Sequence, residues 1–138
     1  MQNKRSKWKT QYQVIEGNSK FHEEVRRIFC DDDFFSSLKC FQEVPVRALI
    51  PDYKGDHDWY IDELGIILEL HGAHHYKIVN FGNVAYGEAV KNFHEIRYRD
   101  NLKKTALTEA GFEYREISYK EIKNLNSQYL KQKIIYGD

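Results

Sequence analysis

Residues 58–72 have the sequence Asp-Trp-Tyr-Ile-Asp-Glu-Leu-Gly-Ile-Ile-Leu-Glu-Leu-His-Gly, which is the strongest fold signal in the chain. Two runs rich in aromatic and branched apolar residues flank the polar segment 62–65, a composition typical of two strands joined by a tight turn. The pattern therefore predicts a β-hairpin. Its second strand is apolar enough to be buried on both faces.

Helical and extended patterns surround this hairpin. Phe21, Val25, Ile28 and Phe29 recur at the spacing of one helix face, and Ser19 stands where an N-cap is expected. The expected elements are, in order, a helix over 20–30, a strand over 41–50, the hairpin over 58–72, a helix over 88–110 that stops at Gly111, a strand over 112–117 and a helix over 119–135. This order, α-β-β-β-α-β-α, predicts an α/β (α+β) fold.

The chain has 138 residues, 41% of them hydrophobic and 30% charged, so one folded domain is expected rather than a disordered segment. Basic and acidic residues both total 21, and this balance excludes a protein that coats nucleic acid through bulk positive charge. Residues 1–18 are basic, with four lysines and arginines against one acid. We expect a basic N-terminal arm there, ahead of a single domain over 19–138.

Cysteine content and apolar runs indicate the compartment. Cys30 and Cys40 are too few for a disulfide scaffold and do not form a C-x-x-C pair. Two reduced thiols in a cytoplasmic protein are expected, without a structural zinc. No apolar run exceeds three residues, so the sequence predicts neither a membrane span nor a secretory signal.

Two acidic residues of the hairpin are placed to share a cation. Asp58 opens the first strand and Glu69 lies near the end of the second, and strands about 4.8 Å apart can direct two carboxylates at one hard cation such as Mg²⁺. An ionised Glu69 between two leucines is costly unless it is paired or metal-bound. The alternative is that Glu69 and His71 lie on the solvent face of an edge strand and are hydrated.

Three histidines, His71, His74 and His75, cluster directly after this strand. A neutral imidazole, with a reference pKa of about 6.5, can accept a proton from water, as hydrolysis beside a metal requires. A zinc site is not favoured, because no cysteine is near and the H-E-x-x-H spacing is absent. The alternative is that these histidines have no functional role.

Asp100 lies on the long helix, seven residues from Phe93 and from Leu107, and is therefore expected on the side that faces the sheet. There it would need a partner. The alternative is a rotated helix on which Asp100 forms an exposed ion pair with Lys103 or Lys104.

These residues form one pattern, Asp58-x10-Glu69-x-His71-Gly72-x2-His75, then Asp100-x2-Lys103-x3-Leu107-x3-Gly111, then a strand carrying Arg115. The pattern resembles one branch of the PD-(D/E)XK nuclease superfamily. That branch contains the very short patch repair endonucleases and related homing endonucleases with the motif E-D-x-H-D. The resemblance covers roughly residues 19–117.

The resemblance implies a restriction-endonuclease-like core, in which helices flank a mixed central β-sheet. It also implies a Mg²⁺-dependent endonuclease, with Mn²⁺ as a substitute, that hydrolyses DNA phosphodiester bonds. By position, the implied catalytic residues are Glu24, Asp58, Glu69, His71, His75 and Asp100, of which Asp58 and Glu69 would hold the metal. Glu23 is the alternative to Glu24, and either histidine is a candidate base.

The chain also departs from the family pattern. His71 replaces the usual lysine, and Ala73 follows the glycine where the repair endonucleases have zinc-binding cysteines nearby. Contacts to double-stranded DNA are expected from the arm, through Lys4, Arg5, Lys7, Trp8 and Lys9, with the indole stacking at a distorted base step. The alternative for the arm is a solvated tail.

Two other functions remain open. One is a catalytically inactive DNA-binding module with the nuclease fold, since His71 occupies the lysine position. The other is a zinc or manganese enzyme that uses His71, His74 and His75 on a small substrate. A homodimer is compatible with the family, and by analogy the source is a bacterium or a phage-infected host, which would place the protein in the cytoplasm.

Overall fold

The computed structural model describes residues 7–51, 53–78 and 85–137. Its strands are β1 (Lys9–Thr10), β2 (Cys40–Pro45), β3 (Asp56–Ile61), β4 (Ile66–His71) and β5 (Glu113–Ser118). Its α-helices are α1 (Lys20–Asp31), α2 (Asp33–Ser36), α3 (Tyr86–Glu109) and α4 (Ser127–Tyr136). Short 3₁₀ turns cover Val46–Ala48, Asp62–Leu64, Ala73–His75 and Tyr119–Asn124. The protein therefore belongs to the mixed α and β class that the sequence predicts.

The five strands form one mixed sheet in the order β1-β2-β3-β4-β5. Successive strands from β1 to β4 pair antiparallel, whereas β4 and β5 pair parallel. Helix α3 connects this parallel pair, as parallel neighbours require a crossover. Relative to the predicted order, the structure adds strand β1 and the one-turn helix α2.

The hairpin predicted over 58–72 is confirmed as β3 and β4. Trp59 lies opposite Leu68, and the turn ends at Gly65, whose φ of 63° is left-handed and favours glycine. Every residue of β4 is buried, as its apolar composition predicts. The alternative of an edge strand with hydrated Glu69 and His71 is therefore wrong.

Helices cover both faces of the sheet. On one face, side chains of α1, α2 and α4 pack against alternate residues of β3, β4 and β5, including Phe29, Phe35, Trp59, Leu68, Ile117 and Leu130. On the other face, Leu107 of α3 packs with Phe41, Tyr60, Ile67 and Tyr114. Among the described helices, none has both the length and the apolarity that a membrane span requires.

Helix α1 begins as its sequence predicts. Ser19 is the N-cap, and its hydroxyl accepts a hydrogen bond from the backbone N–H of His22 at 3.3 Å. Phe21, Val25 and Phe29 are buried against the sheet. The cap and the apolar stripe together orient the first turn of α1 toward β3.

Two predicted boundaries are wrong, and each for a local reason. The strand expected over 41–50 ends at Pro45, because proline lacks an N–H and the chain turns into a 3₁₀ segment in which Val46 N–H bonds to the carbonyl of Gly55 at 2.9 Å. The helix expected over 119–135 is divided, because Ser118 and Asn126 each cap a separate segment.

The described part of the predicted arm packs against the domain. Strand β1 pairs with β2, and the Trp8 ring contacts Phe41 and Tyr60 edge-on at centroid distances of 5.4 and 6.2 Å. Gln11 is fully buried. Residues 1–6 lie outside the described residues, and with them Lys4 and Arg5.

Candidate active site

Five predicted site residues meet at the ends of β3, β4 and the middle of α3. Asp58 comes from β3, Glu69 and His71 from β4, His75 from the following 3₁₀ turn and Asp100 from α3. Because β4 and β5 are parallel, the chain must cross over between them, and α3 forms this crossover. Its path brings Asp100 close to the end of the hairpin.

Asp58 is fixed by two hydrogen bonds. One carboxylate oxygen accepts from the backbone N–H of Leu70 at 2.7 Å, and the other lies 3.3 Å from Nε2 of His22. Burial opposes ionisation, but the contacts with His22, the Leu70 amide and Glu69 outweigh it and lower the pKa of Asp58. Its side chain is 29% exposed, so the carboxylate is partly accessible from solvent.

Glu69 is a buried carboxylate with two partners on one oxygen. Its Oε1 lies 2.9 Å from Nζ of Lys103 and 3.0 Å from Nδ1 of His57. The lysine offsets the charge that the apolar surroundings would otherwise make costly. Lys103 of α3 therefore pairs with Glu69 of β4, and Asp100 pairs with His75, so the alternative of an exposed ion pair between Asp100 and Lys103 or Lys104 is wrong.

His71 is buried and stacks face to face on His75, with ring centroids 3.9 Å apart and an interplanar angle of 4°. Its Nδ1 lies 3.3 Å from a carboxylate oxygen of Glu116. Burial and the nearby His75 lower the pKa of His71 to about 4. At neutral pH this imidazole is therefore uncharged and can offer a lone pair.

His75 and Asp100 form a hydrogen-bonded pair, with Nδ1 and Oδ2 2.7 Å apart. Burial opposes ionisation of Asp100, but its bond to His75 and the surrounding positive charge lower its pKa. An ionised Asp100 accepts a hydrogen bond from Nδ1–H, which leaves the lone pair on Nε2 of His75. The prediction that Asp100 faces the sheet and needs a partner there is confirmed.

One set of donor atoms in the site suits a metal ion. His71, His75 and Asp100 each offer one ligand atom, and these atoms lie within 4.8 Å of one another. Two imidazole nitrogens and one carboxylate fit a divalent cation with mixed nitrogen and oxygen ligands. Glu69 does not belong to this set, and its Oε1 lies within hydrogen-bond distance of Lys103 and His57.

The early helix contributes a different residue from the predicted one. Glu24 forms an ion pair with Arg27 at 3.0 Å on the surface of α1, and Glu23 pairs with Arg26, so the structure brings neither glutamate to the cluster. His22 reaches Asp58 instead. His22 follows Phe21, the first buried residue of the helix. This position next to the apolar face is the sequence feature that could have indicated its contact with the sheet.

Two further residues, Lys103 and His57, make contacts with Glu69 that the sequence did not predict, although Lys103 is part of the quoted pattern. Lys103 lies three residues after Asp100 and so shares its helix face, a spacing from which its proximity follows. His57 precedes Asp58, but its contact with Glu69 depends on the twist and register of two strands. No local pattern indicates that contact.

The predicted DNA contacts of the arm have other partners where they are described. Trp8 is half-buried and packs edge-on against Phe41 and Tyr60. Lys9 forms an ion pair with Glu43 at 2.9 Å. Lys7 is exposed. The side chain of His74, part of the predicted histidine cluster, lies outside the described residues.

Comparison of the chain with family models, with curated proteins and with solved structures finds no match.

Proposed function

We propose that this protein is a metal-dependent endonuclease that hydrolyses phosphodiester bonds in DNA, on a restriction-endonuclease-like core. The observation that carries the proposal is the convergence of Asp58, Glu69, His71, His75 and Asp100. These residues lie up to 42 positions apart in the chain, on β3, β4 and α3 and in the turn after β4. His71 stacks on His75, which bonds to Asp100, and Asp58 bonds to the backbone of Leu70, between Glu69 and His71. Such a cluster of carboxylates and histidines is typical of hydrolytic sites.

The proposed cofactor is Mg²⁺, with Mn²⁺ as a substitute. When bound, a divalent ion would offset negative charge that develops on the phosphate. Asp58 is the candidate ligand on the hairpin, because it is ionised and accessible. His71 and Asp100 are candidate ligands in the separate donor set that they share with His75. Nitrogen ligands favour Mn²⁺ over Mg²⁺, so Mn²⁺ should support activity at lower concentration.

The proposed base is His75. Asp100 holds its Nδ1–H, which fixes the tautomer with the lone pair on Nε2, and this nitrogen is the proposed acceptor of a proton from the attacking water. The ionised Asp100 would then stabilise the imidazolium. His71 stacks on the same ring and, being uncharged, does not repel that positive charge.

Cleavage of supercoiled plasmid tests this proposal. Wild-type protein should nick or linearise the plasmid in Mg²⁺ or Mn²⁺ and not in a chelator. Asp58→Asn and His75→Asn should lower the rate by at least about 100-fold, since metal binding and general-base catalysis contribute at that level. Glu95→Gln, a matched change of an exposed residue of α3, should cut at the wild-type rate.

The outcomes separate the alternatives. Cutting that persists in chelator, or in Asp58→Asn and His75→Asn, would contradict the proposed chemistry. Absence of cutting together with a gel shift of double-stranded DNA would favour the inactive binding module instead. An active enzyme of this type would work in the cytoplasm of a bacterial cell or phage-infected host.

The donor set of His71, His75 and Asp100 also favours a second candidate, a zinc or manganese enzyme acting on a small substrate. Metal analysis of purified protein after dialysis distinguishes it. One equivalent of retained zinc, lost in His71→Asn, would support this candidate. Protein that retains no metal would support the more weakly bound Mg²⁺ of the endonuclease.

A further inference from the structure

A groove runs beside the His75–Asp100 pair, between the segment 53–55 and helix α3. It encloses about 590 Å³ and is lined by Tyr53, Lys54, Ile96, Arg99, Leu102 and Lys103, with His75 and Asp100 at one end. We call it the Tyr53 groove. Its volume falls in the range of small-molecule sites and can admit one nucleotide unit.

The cations of the Tyr53 groove exceed its acids. Lys54 and Arg99 are exposed on opposite sides, and Lys103 is held in place by Glu69. Asp100 is the one acidic residue among the described lining residues, and it is bonded to His75. The groove therefore presents positive charge next to an anionic site, which suits a ligand with phosphates on either side of the reacting one.

The floor of the groove is aromatic and aliphatic. Tyr53, which is half-buried against the core, and Leu102 also line an adjoining recess of about 200 Å³, which is lined as well by Tyr98, 66% exposed. Basic side chains interleaved with aromatic rings are typical of surfaces that bind unpaired strands, because each unpaired base can stack on a ring. In a duplex the bases are stacked on one another and are not available to Tyr53.

We propose that the Tyr53 groove binds a single-stranded segment of DNA and leads it to His75 and Asp100. Lys54 and Arg99 contact backbone phosphates, and Tyr53 stacks on a base. This inference rests on the proposed function for the fate of the strand, but binding itself requires no hydrolysis. It is a DNA contact additional to those predicted for the N-terminal arm, of which Trp8 and Lys9 have partners within the domain.

Fluorescence anisotropy in chelator tests the groove without cleavage. The probes are a labelled oligonucleotide of about 12 nucleotides and the duplex of the same sequence. Wild-type protein should bind the single strand more tightly than the duplex. In Lys54→Ala/Arg99→Ala, single-strand binding should weaken roughly 10- to 30-fold near 0.1 M salt, and the slope of log affinity against log salt should fall by about 1.4.

Two controls separate recognition from general effects. Lys120→Ala/Lys123→Ala removes the same charge from exposed positions on the 3₁₀ turn after β5 and should leave single-strand binding near that of wild type. Tyr53→Phe keeps the ring and should bind like wild type, whereas Tyr53→Leu should weaken binding by about tenfold. Circular dichroism of each variant checks that it is folded.

Several results would overturn the inference. One is equal or tighter binding of the duplex; another is equal weakening in Lys54→Ala/Arg99→Ala and Lys120→Ala/Lys123→Ala. Single-strand binding that Tyr53→Leu leaves unchanged would remove the stacking contact. If the groove does not bind the single strand but the protein cleaves plasmid, the inference is wrong and the proposed function is unaffected. If the groove binds the single strand but the protein cleaves no DNA, the inference is supported and the proposed function is wrong.

Discussion

Glu69 shows how one side chain can be both buried and charged in this sheet. It lies between Leu68 and Leu70, and its exposed fraction is 4%. The carboxylate is stabilised by Lys103, which reaches it from α3, and by His57 from β3. Nε2 of His57 is buried and has no hydrogen-bond partner among the described residues, so the polar network ends there.

The pairing of Glu69 with Lys103 predicts a non-additive effect on stability. Lys103→Met leaves a buried carboxylate without its main partner and should lower the free energy of unfolding by about 3 kcal/mol. In Glu69→Gln/Lys103→Met the uncompensated charge is absent, so the loss should be smaller than the sum of the two single losses by about 1 kcal/mol or more. Urea unfolding of the four proteins measures this coupling.

Lys91→Met is the matched control, because Lys91 is an exposed residue of the same helix. Its free energy of unfolding should stay within about 0.5 kcal/mol of wild type. Additive losses in the double variant would show that Glu69 and Lys103 do not depend on each other.

Among the secondary-structure elements, the segment after β5 shows most clearly how caps set boundaries. Ser118 and Glu121 form a capping box that starts the 3₁₀ turn, and Asn126 caps α4 through a bond from the N–H of Tyr129 at 2.8 Å. Glu121 also accepts hydrogen bonds from the Tyr129 hydroxyl and from Lys133. One carboxylate thereby joins the turn to the helix.

Glu121 should give a pH-dependent contribution to stability. Burial would raise the pKa of Glu121, but bonds from Tyr129, the Ser118 amide and Lys133 lower it overall. A lowered folded-state pKa means that the contribution is present above the ordinary value of 4.5 and is lost as pH falls through the folded pKa. Glu121→Gln should therefore cost about 1.5 kcal/mol at pH 7 and less below pH 4.

Thermal or urea unfolding of Glu121→Gln and wild type between pH 3 and pH 7 measures this difference. Glu109→Gln, an exposed residue near the end of α3, serves as control and should show no such convergence. A difference between Glu121→Gln and wild type that stays constant with pH would exclude an ionised Glu121 as its cause.

Gln11, in the segment before α1, stabilises the fold through hydrogen bonds to distant parts of the chain. Gln11 is 1% exposed, and its amide nitrogen donates to the carbonyls of Phe35 and Leu38 at 3.2 and 2.9 Å. Its amide oxygen accepts from the N–H of Cys40 at 3.1 Å. One side chain thus satisfies backbone groups of the connection between α2 and β2.

Gln11→Ala should weaken the entire fold. The substitution leaves buried backbone groups without partners, and each such group costs about 1–3 kcal/mol. The free energy of unfolding should fall by at least about 2 kcal/mol, measured by urea denaturation. Gln128→Ala, an exposed change on α4, should have an effect within about 0.5 kcal/mol. Wild-type stability in Gln11→Ala would mean that the residues before α1 do not support the domain.

Local patterns predicted much of this protein. The hairpin, the burial of β4, the Ser19 cap and the helix end before Gly111, whose φ is 94°, all depend on residues within one or two turns of each other. The resemblance likewise selected Asp58, His71, His75 and Asp100, which the structure brings together. The hairpin, the cap and the helix end follow from side-chain spacing, because period and capping are properties of neighbouring residues, whereas the site residues were implied by the resemblance.

Contacts between distant segments were not predictable in the same way. Glu24 was expected at the site, but the rotation of α1 on the sheet turns His22 toward Asp58 and leaves Glu24 with Arg27. Trp8 was expected to meet DNA, but pairing of β1 with β2 places it against Tyr60. Packing of the complete core sets the register of the strands, the rotation of α1 and the pairing of β1 with β2. Because the residues that pack together are far apart in sequence, no local pattern predicts these features.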